Sequence, residues 1–108
     1  MAIRIMAILE YTLTPLDGAT LVEIAIPGDG VLDFADLPAI LAEFPPVTPH
    51  LGVILSGRLP IPAYCAIAHH LHPTAWVAIM APAAGGAVVV QSHKKGFAVG
   101  QVVSVPKS

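Results

Sequence analysis

The chain is poor in charged residues and in cysteine. Only 11% of its 108 residues are Asp, Glu, Lys or Arg, against roughly 25% in an ordinary soluble domain. So few charges predict that another copy of the chain covers part of the apolar surface. The single cysteine, Cys65, excludes a disulfide framework and is typical of a reducing cytoplasm, where we expect the protein to act.

Long uninterrupted hydrophobic runs are also missing. The longest apolar stretch, residues 75–90, is broken by Pro82, Gly85 and Gly86 and is shorter than the ~20 residues of a membrane-spanning helix. The alternating N-terminal pattern contains Arg4 and Glu10, which is unlike a signal peptide. We expect one domain over residues 1–108, with no membrane partner.

Acidic residues are absent after Glu43. All seven carboxylates lie in the first 43 residues, whereas the rest of the chain carries four cations and all five histidines: Arg58, Lys94, Lys95, Lys107, His50, His69, His70, His72 and His93. A segment with this charge pattern suits an anionic ligand. The alternative is that a charge-poor chain segregates a few cations by chance.

The hydrophobic pattern predicts six strands and two helices. The order is β-β-α-β-α-β-β-β, with strands at 3–11, 20–26, 53–55, 76–80, 87–91 and 99–105. Asp36 is the expected N-cap of the first helix, which continues to Glu43, and the second helix covers 63–71. Strands 53–55 and 76–80 should pair in parallel across that helix. The predicted fold is therefore α/β, a small Rossmann-like mixed sheet with two helices.

The stretch Gly52–His72 organises this pattern. A buried strand ends at Ser56-Gly57-Arg58, and Pro60 and Pro62 then stand where a helix should begin. In open α/β sheets, ligands bind where strands end and helices begin, and free amides at a helix start favour anions. We therefore expect the site at this turn.

Two other groups could carry chemistry. Cys65, His69 and His72 share one stripe of the second helix, which is acceptable spacing for zinc. Alternatively, Cys65 faces the core and the histidines interact with the helix C-terminal dipole. Gln91-Ser92-His93-Lys94-Lys95 ends in two positive charges, although an ordinary solvated turn has the same composition.

Three segments in sequence order point to a known family. GVILSGRLPIPAY, AHHLHPTAWVAI and GGAVVVQSH resemble the small CRISPR-associated ring nucleases of the Csx-three type, within the CRISPR-associated Rossmann-fold superfamily. The resemblance implies homodimers, or tetramers and stacked dimers around the ligand. The implied ligand is cyclic tetra-adenylate or short oligoadenylate RNA, not DNA. Degrading this messenger switches off the type III CRISPR response.

The resemblance also implies roles for individual residues. It makes His72 and Arg58 catalytic. It places on the ligand Ser56, Gly57, Arg58, Pro60, His69, Gln91, Ser92, His93 and Lys94. It further implies Mn²⁺, with His93 as a candidate metal ligand. The chain departs from the family where Ala81-Pro82-Ala83 replaces Asp-Pro-Arg, so the associated carboxylate and cation are missing.

Three hypotheses about function follow. The first is a phosphodiesterase acting on cyclic oligoadenylate, which the retention of His72 and His93 favours. The second is a binding module that sequesters or senses the messenger, which the loss of Asp and Arg at 81 and 83 favours. The third is an apolar assembly domain without a ligand.

Overall fold

A single mixed sheet forms the framework of the protein. The computed structural model describes residues 2–5 and 8–106, with side-chain environments from residue 8 onward. Its strands follow each other in the sheet in chain order. They are β1 Ala2–Ile5, β2 Glu10–Leu16, β3 Ala19–Ala25, β4 Gly52–Ser56, β5 Trp76–Ala81, β6 Gly86–Ser92 and β7 Val102–Val103, and the helices are α1 Leu37–Glu43 and α2 Ile61–His70.

The parallel part of the sheet lies at its centre. Strand β3 pairs in parallel with β4, and β4 pairs in parallel with β5, across α1 and α2 respectively. The remaining neighbours are antiparallel. Right-handed crossovers that advance in one direction place their helices on one face, and α1 contacts α2. The predicted α/β mixed sheet with two helices is confirmed.

The two faces of the sheet have separate cores. On the helix face, Ile40 of α1 and Ile67 of α2 pack against strand residues such as Val53 and Val77. On the other face, the indole of Trp76 stacks on Phe97, with 4.7 Å between ring centroids. The segment after β6 therefore packs on the face that the helices leave open.

The N-terminal strand prediction was wrong in its boundaries. In place of one strand over 3–11, β1 and β2 form an antiparallel pair, and Met6 and Ala7 lie outside the described residues. Strand β2 continues through Pro15, which lies between the predicted strands at 3–11 and 20–26. Pairing with β1 ends at Leu13, so the missing amide of Pro15 costs no hydrogen bond on that side.

Two further predictions need correction. The strand expected over 99–105 is only two residues long. Gly100 lies in a turn with φ +93°, and its amide donates to the carbonyl of Val89 at 2.8 Å. Asp36 stands at the N-cap of α1 without a side-chain hydrogen bond. Instead, Asp33 caps the preceding 3-10 turn, because its Oδ1 accepts from the Ala35 amide at 2.9 Å.

Helix α2 forms close to its predicted position, over 61–70 where the sequence predicts 63–71. Pro60 occupies the N-cap and Pro62 the first turn, where a proline loses no intrahelical hydrogen bond. The helix ends at His70, and the hydroxyl of buried Thr74 donates to the Leu71 carbonyl at 2.7 Å. This bond fixes the turn that carries His72. In the part of the chain that the structure describes, neither helix has the length and hydropathy to cross a bilayer.

Candidate functional site

The turn Ser56-Gly57-Arg58 follows the carboxyl end of β4. Gly57 has φ +137°, and a Cβ there would collide with the carbonyl oxygen of Ile24. Tyr64, on the first turn of α2, donates its hydroxyl to the Gly57 carbonyl. Burial raises the pKa of Tyr64, which favours the protonated, donating form. The turn is therefore held from both sides, with Arg58 exposed at its tip.

Arg58 faces a cleft at this end of the sheet. The cleft has a volume of about 450 Å³ and is lined by Ile24, Ala25, Ile26, Asp29, Gly30 and Arg58. Ile24 and Ala25 end β3, and Ile26 follows it directly. Asp29 belongs to the loop before α1. We call this end of the sheet the Arg58 end. Asp29 is a member of the cleft that the sequence motifs did not indicate.

The histidines lie at the opposite end of the sheet. Helix α2 runs back from the Arg58 end over ten residues, or about 15 Å at 1.5 Å per residue. Strand β6 is antiparallel to β5 and returns to the same place. This histidine end therefore collects His50, His69, His70, His72 and His93.

His72 and His93 are in direct contact. The distance from His72 Nδ1 to His93 Nε2 is 3.3 Å. The rings meet edge to face, with 4.6 Å between centroids and an angle of 81°. The amide of His93 donates to the Ala75 carbonyl at 2.8 Å, which anchors that residue to the start of β5. Both histidines are exposed.

Each ring nitrogen in this contact donates or accepts according to its tautomer. When His72 Nδ1 donates to His93, the Nε2 of His72 is the free acceptor. Such an arrangement fixes a tautomer and orients a general base.

The other predicted residues at this end have different environments. Ser92 Oγ accepts from the Lys94 amide at 3.2 Å, and Lys94 Nζ lies 5.8 Å from the Phe97 ring centroid. Gln91 is half-buried, and its Nε2 is buried without a hydrogen-bond partner among the described residues. His69 is exposed on the last turn of α2.

The predicted site residues therefore form two separate groups. Ser56, Gly57, Arg58 and Pro60 lie at the Arg58 end, and the others lie at the histidine end. Sequence reasoning missed the pairing of His93 with His72. The antiparallel return of the strand before His93 was the available signal, because it brings that residue to the start of β5. Ala81 and Ala83 lie at the Arg58 end, where β5 ends and a 3-10 turn begins.

The side chains of one chain do not fit a resident manganese ion. Mn²⁺ prefers oxygen ligands, yet the histidine pair supplies two nitrogens. Within residues 2–5 and 8–106, no three His, Cys, Asp or Glu residues converge on a possible metal position.

The same observation bears on the zinc hypothesis. Cys65, His69 and His72 do not form a metal-binding group, since His72 lies beyond the helix and contacts His93. The alternative placement of Cys65 was also wrong, because its side chain is exposed rather than in the core. Cys65 lines an apolar groove between α2, β5 and β6.

Comparison with known proteins adds two findings. A family model described as "CRISPR-associated protein (Cas_csx3)" matches residues 25–104, a span that includes both groups of site residues. An uncharacterized protein of Aquifex aeolicus (strain VF5) is 45% identical over 51 residues, which are 47% of this chain and 46% of that protein. The match to this curated relative covers less than half of either chain.

Proposed function

The chain belongs to the Cas_csx3 family of CRISPR-associated proteins, and from this we propose that it binds and degrades cyclic tetra-adenylate. The contact between His72 Nδ1 and His93 Nε2 at 3.3 Å is the observation that carries the proposal. It brings two exposed imidazoles into contact at an end of the sheet that also bears Lys94 and Lys95. A general base and nearby cations both assist cleavage of an RNA phosphodiester.

The reaction is an internal transfer at phosphorus. The ribose 2′-hydroxyl attacks the adjacent phosphate, the new P–O2′ bond forms, and the P–O5′ bond breaks. His72 Nε2 takes the 2′-hydroxyl proton, and the 5′-oxygen takes a proton from water as it leaves, so that the products are a 2′,3′-cyclic phosphate and a 5′-hydroxyl end. Acid–base help of this kind contributes about 10²–10⁴-fold. His93 acts through His72, as the group that sets its tautomer and orientation.

Positive charge near the reacting phosphate comes from Lys94 and Lys95. Both follow His93 directly in an exposed turn, and the chain has no carboxylate side chain after Glu43. Cations near the phosphoryl oxygens stabilise the charge that develops there. No step of this scheme uses a metal ion.

In this proposal, Arg58 of a second copy of the chain binds a phosphate of the same ligand. Helix α2 separates Arg58 from His72 by about 15 Å. The two side chains of one chain are therefore too far apart to contact the same phosphate. Stacked dimers, with the Arg58 end of one facing the histidine end of another, bring both to a ligand between them. A cyclic ligand with repeated nucleotides suits a site duplicated by symmetry.

The surface we assign to the dimer is the apolar groove along α2. It is lined by Ile61, Tyr64, Cys65, Ala68, Ile79 and Val90, none of them charged, and Ile61 is 78% exposed. A charge-free surface is complementary to itself, as a twofold contact requires. The groove begins three residues after Arg58, so a partner docked there places both Arg58 turns near one axis.

A binding module is the second candidate function. Ala81 and Ala83 stand at the Arg58 end, where the family resemblance expects Asp and Arg. A chain without these groups captures the messenger and releases it intact. In this alternative, the histidine pair contacts the ligand without transferring protons.

Incubation with radiolabelled cyclic tetra-adenylate separates these candidates. Bound and cleaved ligand are measured for the wild type, for His72→Ala and for His50→Ala, with and without manganese. The proposal predicts cleavage by the wild type and by His50→Ala, which removes an exposed histidine from the same end of the sheet. It predicts binding without cleavage for His72→Ala. Tight binding by the wild type with no cleavage in either condition supports the binding module.

A further inference from the structure

The cleft at the Arg58 end contains a carboxylate that the proposed reaction does not use. Asp29 and Arg58 both line this space of about 450 Å³, a size within the range of small-ligand sites. Both side chains are exposed. A guanidinium attracts phosphate, whereas a carboxylate needs a hydrogen-bond donor from the ligand. The cleft thus offers two different polar contacts.

Asp29 is held in place by its own loop. Its Oδ1 accepts from the Val31 amide at 3.1 Å, and Oδ2 has no hydrogen-bond partner among the described residues. The flanking residues Gly28 and Gly30 have φ of +74° and +76°, in the region that favours glycine. The loop therefore fixes one carboxylate oxygen and leaves the other for a donor in the cleft.

We propose that this cleft holds one nucleotide of the oligoadenylate and that Asp29 selects RNA over DNA. The inference rests on the proposed function. Arg58 binds a phosphate, and Asp29 Oδ2 accepts a hydrogen bond from a ribose 2′-hydroxyl. A carboxylate that accepts from ribose hydroxyls is an established solution in nucleotide-binding folds, and the 2′-hydroxyl is the group by which proteins distinguish RNA from DNA.

The test compares ribose with deoxyribose in the ligand. Binding of cyclic tetra-adenylate and of its cyclic 2′-deoxy counterpart is measured by calorimetry in a His72→Ala background, so that no ligand is consumed. We expect the ribose ligand to bind at least about tenfold more tightly, the scale of a hydrogen bond to a charged group. Asp29→Asn keeps the Oδ1 acceptor for Val31 but replaces Oδ2 with a donor. Because the 2′-hydroxyl can also accept from this amide, the substitution replaces a charge-assisted hydrogen bond with a neutral one, and it should lower the ratio of ribose to deoxyribose affinity by about fivefold.

Asp33→Asn is the matched control. Asp33 lies in the same loop but does not line the cleft. Its substitution removes the same charge and keeps the Oδ1 acceptor for the Ala35 amide. The ratio of ribose to deoxyribose affinity should therefore stay at the parent value. Arg58→Ala should weaken both ligands by a similar factor, since both carry phosphates.

The outcomes separate this inference from the function on which it rests. A ratio that survives Asp29→Asn, or an equal change for both ligands, overturns the role of Asp29 and leaves oligoadenylate binding intact. If neither ligand binds to the parent protein, the proposed function fails together with the inference.

Discussion

Arg58 owes its position to the glycine before it. Gly57 turns the chain at φ +137°, with no room for a side chain against the Ile24 carbonyl. The next residue is thereby directed into the cleft beyond β3. The sequence could indicate this arginine because Ser-Gly-Arg ends a buried strand. It could not indicate Asp29, whose loop reaches the same cleft only through the parallel pairing of β3 with β4.

The first prediction concerns the guanidinium of Arg58. Arg58→Ala should weaken oligoadenylate binding by about 1.5–3 kcal/mol, the range for a hydrogen bond to a charged group. Arg58→Lys should recover only part of this loss, because an ammonium cannot reproduce the two-pronged contact. Calorimetric titration measures both, and unchanged affinity in both variants would remove Arg58 from the site.

The second prediction concerns the Gly57 turn. Gly57→Ala should lower the free energy of unfolding by at least about 2 kcal/mol. The alanine would have an unfavourable φ, and its Cβ would also collide with the Ile24 carbonyl oxygen. Gly85→Ala is the control, because Gly85 also has a positive φ, +84°, but an added Cβ there would have no neighbour within 4 Å. That variant should cost about 1 kcal/mol. Urea unfolding measures the two, and equal losses would show that the contact with Ile24 contributes nothing.

At the scale of elements, the central part of the chain was the most predictable. The strand–helix–strand unit of β4, α2 and β5 has a buried apolar run and prolines at the helix start, and all three elements form within two residues of their predicted bounds. The N-terminal hairpins were harder, because alternation over 3–11 does not show where the chain reverses. The last strand shortened because the turn at Gly100 bonds to Val89, a tertiary contact without a local signal.

The candidate site shows the same division between local and tertiary information. Local sequence pattern singled out the turn at Ser56-Gly57-Arg58 and the segment 91–95, and the family resemblance supplied the predicted roles of their residues. The contact between His72 and His93 joins residues 21 positions apart. It depends on how β6 returns along β5, including a register shift between Val77 and Ala78. The distance between the Arg58 end and the histidine end likewise follows from the direction of α2.

At the scale of the whole molecule, the distribution of polar groups favours assembly. The chain has twelve charged side chains among 108 residues, and its α2 groove is uncharged. We predict a homodimer of about 22 kDa, twice the chain mass of 11.2 kDa, in light scattering at micromolar concentration. Ile61→Glu should give monomers, because a buried unpaired charge opposes the contact.

Val99→Glu provides the control for this third prediction. Val99 is 68% exposed and lies outside the α2 groove, so the same charge there should leave the dimer intact. A mass near 11 kDa for the wild type would rule out the dimer. Dissociation by both variants would show that the α2 groove is not the specific surface.

The central claim is that the Arg58 end of one copy and the histidine end of another act on the same cyclic tetra-adenylate. Mixing two defective proteins tests it most directly. Arg58→Ala should bind poorly and His72→Ala should not cleave, but a mixture of the two should contain stacks in which an intact Arg58 end faces an intact histidine end. We predict that an equimolar mixture cleaves labelled cyclic tetra-adenylate well above the sum of the separate variants. A mixture no more active than its components, alongside an active wild type, would contradict the claim.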